Sequence, residues 1–312
     1  MDALPIQEES EVDFCSQIPG KMHACGHDLH VSNLLGVACL LAANRAHVPG
    51  VVKFIFQPAE ESGNSGALAL VEAGVMEGVA KVFALHVQPE LPTGQISFTP
   101  GYCTSNSDGA LLTVLGHGGH GAHPEAAVDA IVIAAEIVGA LQTTVSRNLA
   151  AQDAGVVTVG TFRAGTARNI IAERATLELS LRSLSQEARE LLPKRIEQIA
   201  QGVTAAYGAT YQFEYLPGYP AVFNHETAIE DLLAVAQPLL GPENVIVNSR
   251  ASMVGEDFAF YAEKAPGVLF WLGARVPADE TAYPLHNPKV RFNEDCLAIG
   301  MEILLNLVLG QK

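Results

Sequence analysis

The sequence predicts an α/β fold in which a parallel-type sheet domain with helices on both faces is interrupted by an inserted ferredoxin-like α+β domain. Before residue 100, apolar runs typical of buried strands alternate with segments of helical periodicity. After Pro100-Gly101 the pattern changes to a βαββαβ succession. We therefore expect a sheet domain of residues 1–103 plus 217–312 and an inserted domain of residues 104–216.

The sheet domain begins with alternating helices and strands. Proline or glycine bounds each apolar run, as turns require. Strand, helix and strand in succession are typical of a crossover connection between parallel strands. The predicted elements are a helix over Asp28–Asn44, a buried strand over Val51–Phe56, a helix over Ser65–Ala73 and a buried strand over Val79–Leu85.

The inserted domain alternates strands with two long helices. Its predicted strands are Ala110–Leu115, Val156–Phe162, Ala175–Leu181 and Tyr211–Tyr215, and its helices are Pro124–Thr144 and Gln186–Tyr207. The segment Pro217–Pro220 is typical of an exit linker. The sheet domain then resumes with a helix over Thr227–Leu240, a strand over Val268–Gly273 and a helix over Glu294–Leu309.

Composition excludes several classes of partner. The 312 residues include 34 acidic and 18 basic side chains, which gives a formal net charge of −16. An acidic surface repels phosphate backbones and anionic headgroups, so we expect neither nucleic acid nor a membrane as partner. The five cysteines are an odd, scattered set and form a poor disulfide framework. We therefore expect a reducing compartment, the cytoplasm.

The densest group of metal-ligating side chains is the segment His23–His30, which contains one cysteine and three histidines. Thiolate and imidazole are donors that bind zinc and related ions. Cys25 and His27 are two positions apart, so both can point at one centre if the segment is extended. The alternative is a redox-active or buried cysteine beside histidines that cap a helix.

Acids and histidines also follow the predicted buried strands. Glu60 and Glu61 come directly after the first strand, and His86 ends the second. Side chains at the carboxyl ends of parallel strands meet at one sheet edge, where open α/β sheets place their sites. Adjacent acids can divide their roles, one on a metal and one facing the substrate. The alternative is a solvated helix start for the acids and a structural role for His86 and the loop residue His286.

The segment Gly116–Gly121 matches the glycine pattern of dinucleotide-binding loops and lies between a predicted strand and helix. The acidic residue expected about 20 positions further on is missing, which argues against nucleotide binding. His117, His120 and His123 could instead form an independent metal site.

In the same domain, Asn169 and Arg182 flank a predicted strand, and a guanidinium is suited to binding a carboxylate. Outside it, the glycine turn Ser252–Phe258 carries two acids and is interpreted as a positioning loop.

Taken together, these motifs resemble the aminoacylase and carboxypeptidase-G-like metallopeptidases. The resemblance is greatest to the amidohydrolase branch that includes hippurate hydrolase, N-acyl-amino-acid hydrolases and the plant IAA-amino acid hydrolases. The matching stretches follow one another in family order over almost the whole chain. They are Met1–Glu8, Gly20–His30, Gln57–Gly63, Leu85–Val87, Gly116–Pro124, Arg168–Ile171, Val254–Phe258 and Leu285–Pro288.

The resemblance implies a metal-dependent amidohydrolase that cleaves N-acyl-amino acids with a metal-activated water. It implies two divalent ions per subunit, zinc first and manganese, cobalt or nickel as alternatives, with the ligands Cys25, His27, Glu61, His86 and His286. Glu60 matches the general base, and Asp2 matches an acid that supports a ligand. His120 and Asn169 match residues of the inserted domain that approach the scissile carbonyl, often from a partner subunit. Arg182 is our candidate for binding the substrate carboxylate, and the inserted domain is expected to form a homodimer.

Two alternatives follow from the same residues. Cys25 could be the nucleophile of a thiol hydrolase, with a nearby histidine as base. The chain could also be a catalytically impaired fragment that binds metal, because members of the family carry a segment before Met1 with a strand that ends at Asp2. Without that strand, we expect an unpaired sheet edge.

Overall fold

The computed structural model describes residues 2–61, 63, 65–277 and 282–310. The α-helices are α1 (His27–Ala43), α2 (Gly66–Glu72), α3 (Ala130–Asn148), α4 (Gln186–Ala206), α5 (Glu226–Leu240), α6 (Ala259–Ala262) and α7 (Cys296–Leu309). The strands are β1 (Val82–Pro92), β2 (Ile96–Phe98), β3 (Gly101–Tyr102), β4 (Asn106–Leu115), β5 (Gly119–His120), β6 (Gly155–Ala164), β7 (Ile170–Ile171), β8 (Arg174–Ser183), β9 (Thr210–Tyr219), β10 (Phe223–Asn224), β11 (Val245–Val247) and β12 (Gly267–Arg275). Short 3-10 helices cover Arg45–His47, Pro124–Ala126 and Pro242–Asn244.

The chain divides into two compact units. The sheet unit contains Met1–Cys103, Val222–Ala251 and Glu256–Lys312, and the inserted unit contains Thr104–Ala221 and Ser252–Gly255. The interpretation of Pro217–Pro220 as a linker is wrong, because Pro217, Gly218 and Tyr219 belong to β9. β9 continues through these residues because its antiparallel pairing with β4 extends as far as Ser107 and Tyr219, with a shift of register between Ser107 and Gly109.

The sheet unit has a mixed four-stranded sheet with the order β1-β12-β2-β11. β1 and β12 are parallel, β12 and β2 are antiparallel, and β11 and β2 are parallel. Alternate residues of a strand point to opposite faces. On one face Phe270 and Leu272 pack in a core with residues of α1, α5 and α7, whereas Leu269 packs with α2 and α6. The predicted α/β sheet with helices on both faces is confirmed.

The prediction of a buried strand over Val51–Phe56 is wrong. These residues form no strand, and Val51 is 94% exposed. A strand requires hydrogen bonds to a neighbour, and apolar residues alone do not supply them. The segment instead forms one wall of a cavity of about 850 Å³, whose other walls include β1 and apolar residues of α1 and α7.

The inserted unit is an antiparallel sheet with the order β6-β8-β4-β9, covered by α3 and α4. Its core contains Leu112 and Leu177 from the sheet, Ile137 from α3 and Ile196 from α4. The βαββαβ succession is therefore confirmed. The predicted helix from Pro124 begins as α3 only at Ala130, where the Asp129 side chain accepts a hydrogen bond from the backbone of Ile131. By length and composition α3 alone among the described helices could cross a membrane, but its apolar face forms this core.

Candidate metal centre

Cys25 and His27 lie on either side of Gly26, the residue that immediately precedes α1. Gly26 precedes the helix with a φ of 76°, a left-handed conformation that favours glycine. A Cβ atom at this position would lie 2.4 Å from Cγ2 of Val87 in β1. The absence of a side chain therefore lets the start of α1 approach β1, and with it the buried thiol of Cys25.

Glu60 and Glu61 precede α2 on a segment that we call the acid loop (residues 57–61, 63 and 65). Ala59 precedes them with a φ of 60°, an uncommon conformation for a residue with a side chain. The backbone nitrogen of Glu61 donates a hydrogen bond of 2.9 Å to Oδ2 of Asp2. Backbone strain of this kind is concentrated at functional sites, where surrounding contacts maintain it.

The two remaining histidines come from a strand and a loop. His86 lies inside β1 rather than at its end, because the strand continues to Pro92. Nδ1 of His86 donates a hydrogen bond of 2.8 Å to the carbonyl oxygen of Val87, so Nε2 is the atom with the free lone pair. His286 has a φ of 65°, and its backbone nitrogen donates to the carbonyl oxygen of Ala24 at 2.9 Å.

Five of the predicted site residues converge around the thiol of Cys25. Its Sγ atom lies 3.4 Å from Nε2 of His86 and 3.3 Å from Nε2 of His286. Nε2 of His286 also lies 3.0 Å from Oε1 of Glu61. The ligand atoms form two triads, each with all its atoms within 4.8 Å, and the two triads share the thiol; they are Cys25, His27 and His86, and Cys25, Glu61 and His286.

Further acids surround these triads. Nε2 of His27 lies 4.0 Å from Oε2 of Glu60. Glu60 also forms a cluster with Glu256 and Asp257, two acids that sequence reasoning assigned to a positioning loop and not to this centre. Burial raises the pKa of Glu60, and the nearby carboxylates of Glu256 and Glu61 raise it further. Burial likewise raises the pKa of Glu256.

The donor set fits divalent cations. Burial lowers the pKa of His27 and lowers that of His86 to about 4, so both imidazoles are neutral at pH 7 and able to bind a metal. Oε1 of Glu61 is buried and, apart from the close approach of Nε2 of His286, has no hydrogen-bond partner among the described residues. Positive ions between these groups would satisfy that oxygen and offset the repulsion among the acids.

The thiol shows no sign of activation as a free nucleophile. Burial raises the pKa of Cys25, and the negative charge of Glu61 raises it further. Nucleophilic cysteines have a lowered pKa because cationic groups stabilise their thiolate. A thiolate at Cys25 is therefore favoured by bound cations, as expected of a metal ligand.

The other predicted site residues belong to the inserted unit. His120 lies in β5, and Nδ1 of its ring accepts a hydrogen bond of 3.1 Å from the backbone of Ala122. Asn169 is close by, since its carbonyl oxygen accepts a bond of 2.8 Å from the backbone of Gly121. Arg182 lies in β8, and its guanidinium donates to the Ser107 hydroxyl.

The glycine-rich segment does not have the context of a nucleotide-binding loop. Gly119 and His120 pair with β7, and the next α-helix begins only at Ala130. A phosphate-binding glycine loop leads directly into a helix N-terminus. Within the described residues, His117, His120 and His123 do not form a three-ligand cluster.

Comparisons with known proteins show which proteins this chain is similar to. The chain is 37% identical over 307 residues to N-acetylcysteine deacetylase of Bacillus subtilis (strain 168), a match that covers 98% of this chain and 78% of the relative. It is 37% identical over 315 residues to N-acetyldiaminopimelate deacetylase of Shouchella clausii, covering 100% and 81% of the two chains.

A solved structure and a family model extend the similarity. The Bacillus subtilis YXEP protein, described as a dinuclear metal binding peptidase from the M20 family, superposes with a TM-score of 0.84 at 34% identity, covering 99% of this chain and 79% of that one. The model of peptidase family M20/M25/M40 matches residues 1–310. The chain therefore belongs to peptidase family M20/M25/M40 and is a hydrolase of its metal-dependent amidohydrolase and deacetylase group.

Proposed function

We propose that this protein hydrolyses the amide bond of N-acyl-amino acids by means of water activated at two divalent ions. The observation that carries the proposal is the pair of ligand triads that share Cys25, with the Glu60 carboxylate beside them. The names of two relatives, both deacetylases of acetylated amino acids, make an acetyl group the first to test.

In this proposal Cys25, His27 and His86 would hold one ion, and Cys25, Glu61 and His286 would hold the other. The hydrogen bond from His86 to Val87 fixes the ring orientation and directs Nε2 to the ion. When bound, such ions lower the pKa of a coordinated water and polarise a carbonyl. Thiolate and imidazole donors favour zinc, and manganese, cobalt or nickel are the alternatives.

Glu60 is the proposed general base. Its carboxylate would take a proton from the attacking water and deliver it to the leaving amine. Burial and acidic neighbours raise the pKa of Glu60 in the metal-free chain, and the positive charge of bound ions would lower it again, so that an ionised carboxylate would be available to accept the proton.

His120, Asn169 and Arg182 are the proposed contacts to the substrate. Because Nδ1 of His120 accepts the Ala122 hydrogen bond, a neutral ring carries its proton on Nε2 and can donate it to an oxyanion. Asn169 is adjacent and supplies an amide to the same carbonyl group. Arg182 would bind the carboxylate of the amino acid in two parallel hydrogen bonds.

We also propose a homodimer formed by the inserted unit. β6 is at one end of the sheet of this unit and exposes Val156 and Phe162. The neighbouring helix α3 exposes Ile131 and Val132. An open strand edge beside exposed apolar side chains favours pairing with a second copy. The cytoplasm stays the proposed location, since the five cysteines form no disulfide within the described residues.

The test combines metal analysis with a hydrolysis screen. Purified protein is expected to contain two divalent ions per chain and to hydrolyse acetyl, benzoyl or indole-acetyl amino acids. EDTA should abolish hydrolysis, and Zn²⁺, Mn²⁺ or Co²⁺ should restore it. Inactivation by iodoacetamide but not by EDTA would support the thiol hydrolase instead. Two bound ions with no hydrolysis of any N-acyl-amino acid would support the impaired, metal-binding alternative.

A further inference from the structure

A buried carboxylate outside the two ligand triads connects the two ends of the acid loop. Asp257 is 1% exposed and lies between β11 and α6. Nε2 of Gln57, at the start of the loop, is 2.8 Å from each carboxylate oxygen of Asp257. At the other end of the loop, the Ser65 hydroxyl donates to Oδ2 of Asp257 at 2.8 Å, and the backbone nitrogen of Ala67 donates at 3.2 Å.

These contacts engage both oxygens of the carboxylate. A carboxylate accepts about four hydrogen bonds, and Asp257 receives that number from Gln57, Ser65 and Ala67. Three of the four bonds reach Oδ2 and one reaches Oδ1, so Asp257 is engaged by the acid loop although it lies in an acidic cluster with Glu60 and Glu256. Its chemistry is that of a hydrogen-bond acceptor that orders the backbone around it.

The network continues beyond Asp257. The hydroxyl of Tyr261 in α6 donates to Oε1 of Gln57 at 2.9 Å, which fixes the orientation of the Gln57 amide. Ser65 also accepts a hydrogen bond from the backbone of Leu68 and so caps α2. Both ends of the acid loop are therefore attached to one buried group, while Glu60 and Glu61 lie between them.

We propose that Asp257 is a positioning residue that sets the metal affinity of the centre by fixing the acid loop. The inference rests on the proposed function, because it assigns Glu61 as a ligand. Residues that orient metal ligands typically change metal affinity or activity by about 10–100-fold when they are substituted.

The test is a double-mutant cycle between Asp257 and Gln57. In Asp257→Asn, the remaining side-chain oxygen Oδ1 can still accept hydrogen bonds from Ser65 and Ala67. The new amide nitrogen Nδ2, however, faces the amide nitrogen of Gln57, and because both groups are hydrogen-bond donors this contact is lost. In the combined variant Gln57→Glu with Asp257→Asn, the new carboxylate accepts from Nδ2 and from the Tyr261 hydroxyl. This exchange keeps the net charge and restores donor–acceptor pairing.

The measurement is the Kd for Zn²⁺, obtained by chelator competition, with the melting temperature of the metal-free protein beside it. We expect Asp257→Asn to raise the Kd at least about 10-fold and the combined variant to recover most of that loss. Asp231→Asn is the matched control. Asp231 lies on α5, away from the acid loop, and pairs with Lys81, so the Kd of this variant for Zn²⁺ should equal that of the wild type.

Two outcomes overturn the inference: an unchanged Kd in Asp257→Asn, or a combined variant no tighter than the single one. A lowered melting temperature with an unchanged Kd would show a merely structural role. Should Asp257→Asn fail to fold, Gln57→Glu alone places two carboxylates together, and an unchanged Kd there overturns the inference equally. If the wild-type protein binds no divalent ion, the proposed function is overturned as well. If the wild type binds metal normally and the variants do not behave as expected, only the role proposed for Asp257 is overturned.

Discussion

The Sγ atom of Cys25 lies 3.3 Å from Nε2 of His286, although the two residues are 261 positions apart. The contact brings the loop before α7 to the segment before α1. The backbone of His286 also donates to Ala24, the residue next to Cys25. These contacts join the first and last segments of the sheet unit at the thiol, which belongs to both ligand triads, so its removal should affect both proposed metal sites together.

Substitution of Cys25 tests this joint dependence. We expect Cys25→Ser to bind fewer than two ions and to lose hydrolysis, because a hydroxyl is a much poorer bridging ligand than a thiolate. Metal content by mass spectrometry and the hydrolysis rate check this. Cys39→Ser, at an exposed position in α1, should behave as the wild type. Two tightly bound ions in Cys25→Ser would contradict the bridging role.

Substitution of Glu60 should separate metal binding from turnover. Glu60→Gln is expected to retain both ions and to lose at least about 100-fold in kcat, the usual contribution of a general base. Glu90→Gln, an exposed residue of β1, is the control. Substantial residual hydrolysis in Glu60→Gln would contradict the assignment.

The same variant should stabilise the metal-free protein at alkaline pH. The pKa of Glu60 is raised above its ordinary value of 4.5, so its contribution to stability is present below pH 4.5 and is lost as the pH rises. A neutral glutamine does not incur this loss. Urea unfolding at pH 8 without metal should therefore give a larger free energy of unfolding for Glu60→Gln than for the wild type, and an equal or smaller value would contradict the expectation.

His86 should make the metal-free protein less stable in acid. Its pKa is lowered from 6.5 to about 4, so the unfolded chain binds more protons between these values and stability falls as the pH falls through this range. The full effect is on the order of 3 kcal/mol. The measurement is the free energy of unfolding as a function of pH, for the wild type and for His86→Asn. The difference between the two curves isolates the contribution of His86, because Glu60, whose contribution changes with pH in the opposite direction, is present in both proteins. A difference that does not change from pH 7 to pH 4 would contradict it.

Arg182 should act on substrate binding. We expect Arg182→Ala to raise KM about 10-fold or more for substrates with a free carboxylate, the strength of a charged hydrogen bond, and to leave KM for the matching carboxamides unchanged. Arg163→Ala is the control, because that guanidinium pairs with Glu178 on the same sheet. An unchanged KM would remove the assignment.

The fold class could be predicted well from the sequence because the spacing of apolar residues along the chain indicates which side chains are buried. Helix α4, predicted over Gln186–Tyr207, is observed over Gln186–Ala206. The failures occur where structure depends on a partner segment. Val51–Phe56 has the composition of a strand but no ladder, and short strands such as β2 and β11 form only because neighbours supply hydrogen bonds.

The same distinction applies to the candidate centre. Cys25 and His27 are close in the sequence, so local spacing was sufficient to group them. The proximity of Glu61, His86 and His286 depends on the fold; their predicted places at strand ends grouped Glu61 with His86, and the resemblance to a family was needed to add His286. The contacts of Asp257 with Gln57 and Ser65 join segments about 200 residues apart, and no local pattern reports them.

The close approach at Gly26 limits how this centre can vary. One methyl group there would overlap a methyl of Val87, and unless the Val87 side chain rotates, the first turn of α1 must move away from β1 and carry Cys25 and His27 away from His86. Alanine at position 26 should consequently be among the least tolerated small substitutions in the chain, even though it removes no functional group. A screen for neutral variants would then find this position invariant for reasons of space and not of chemistry.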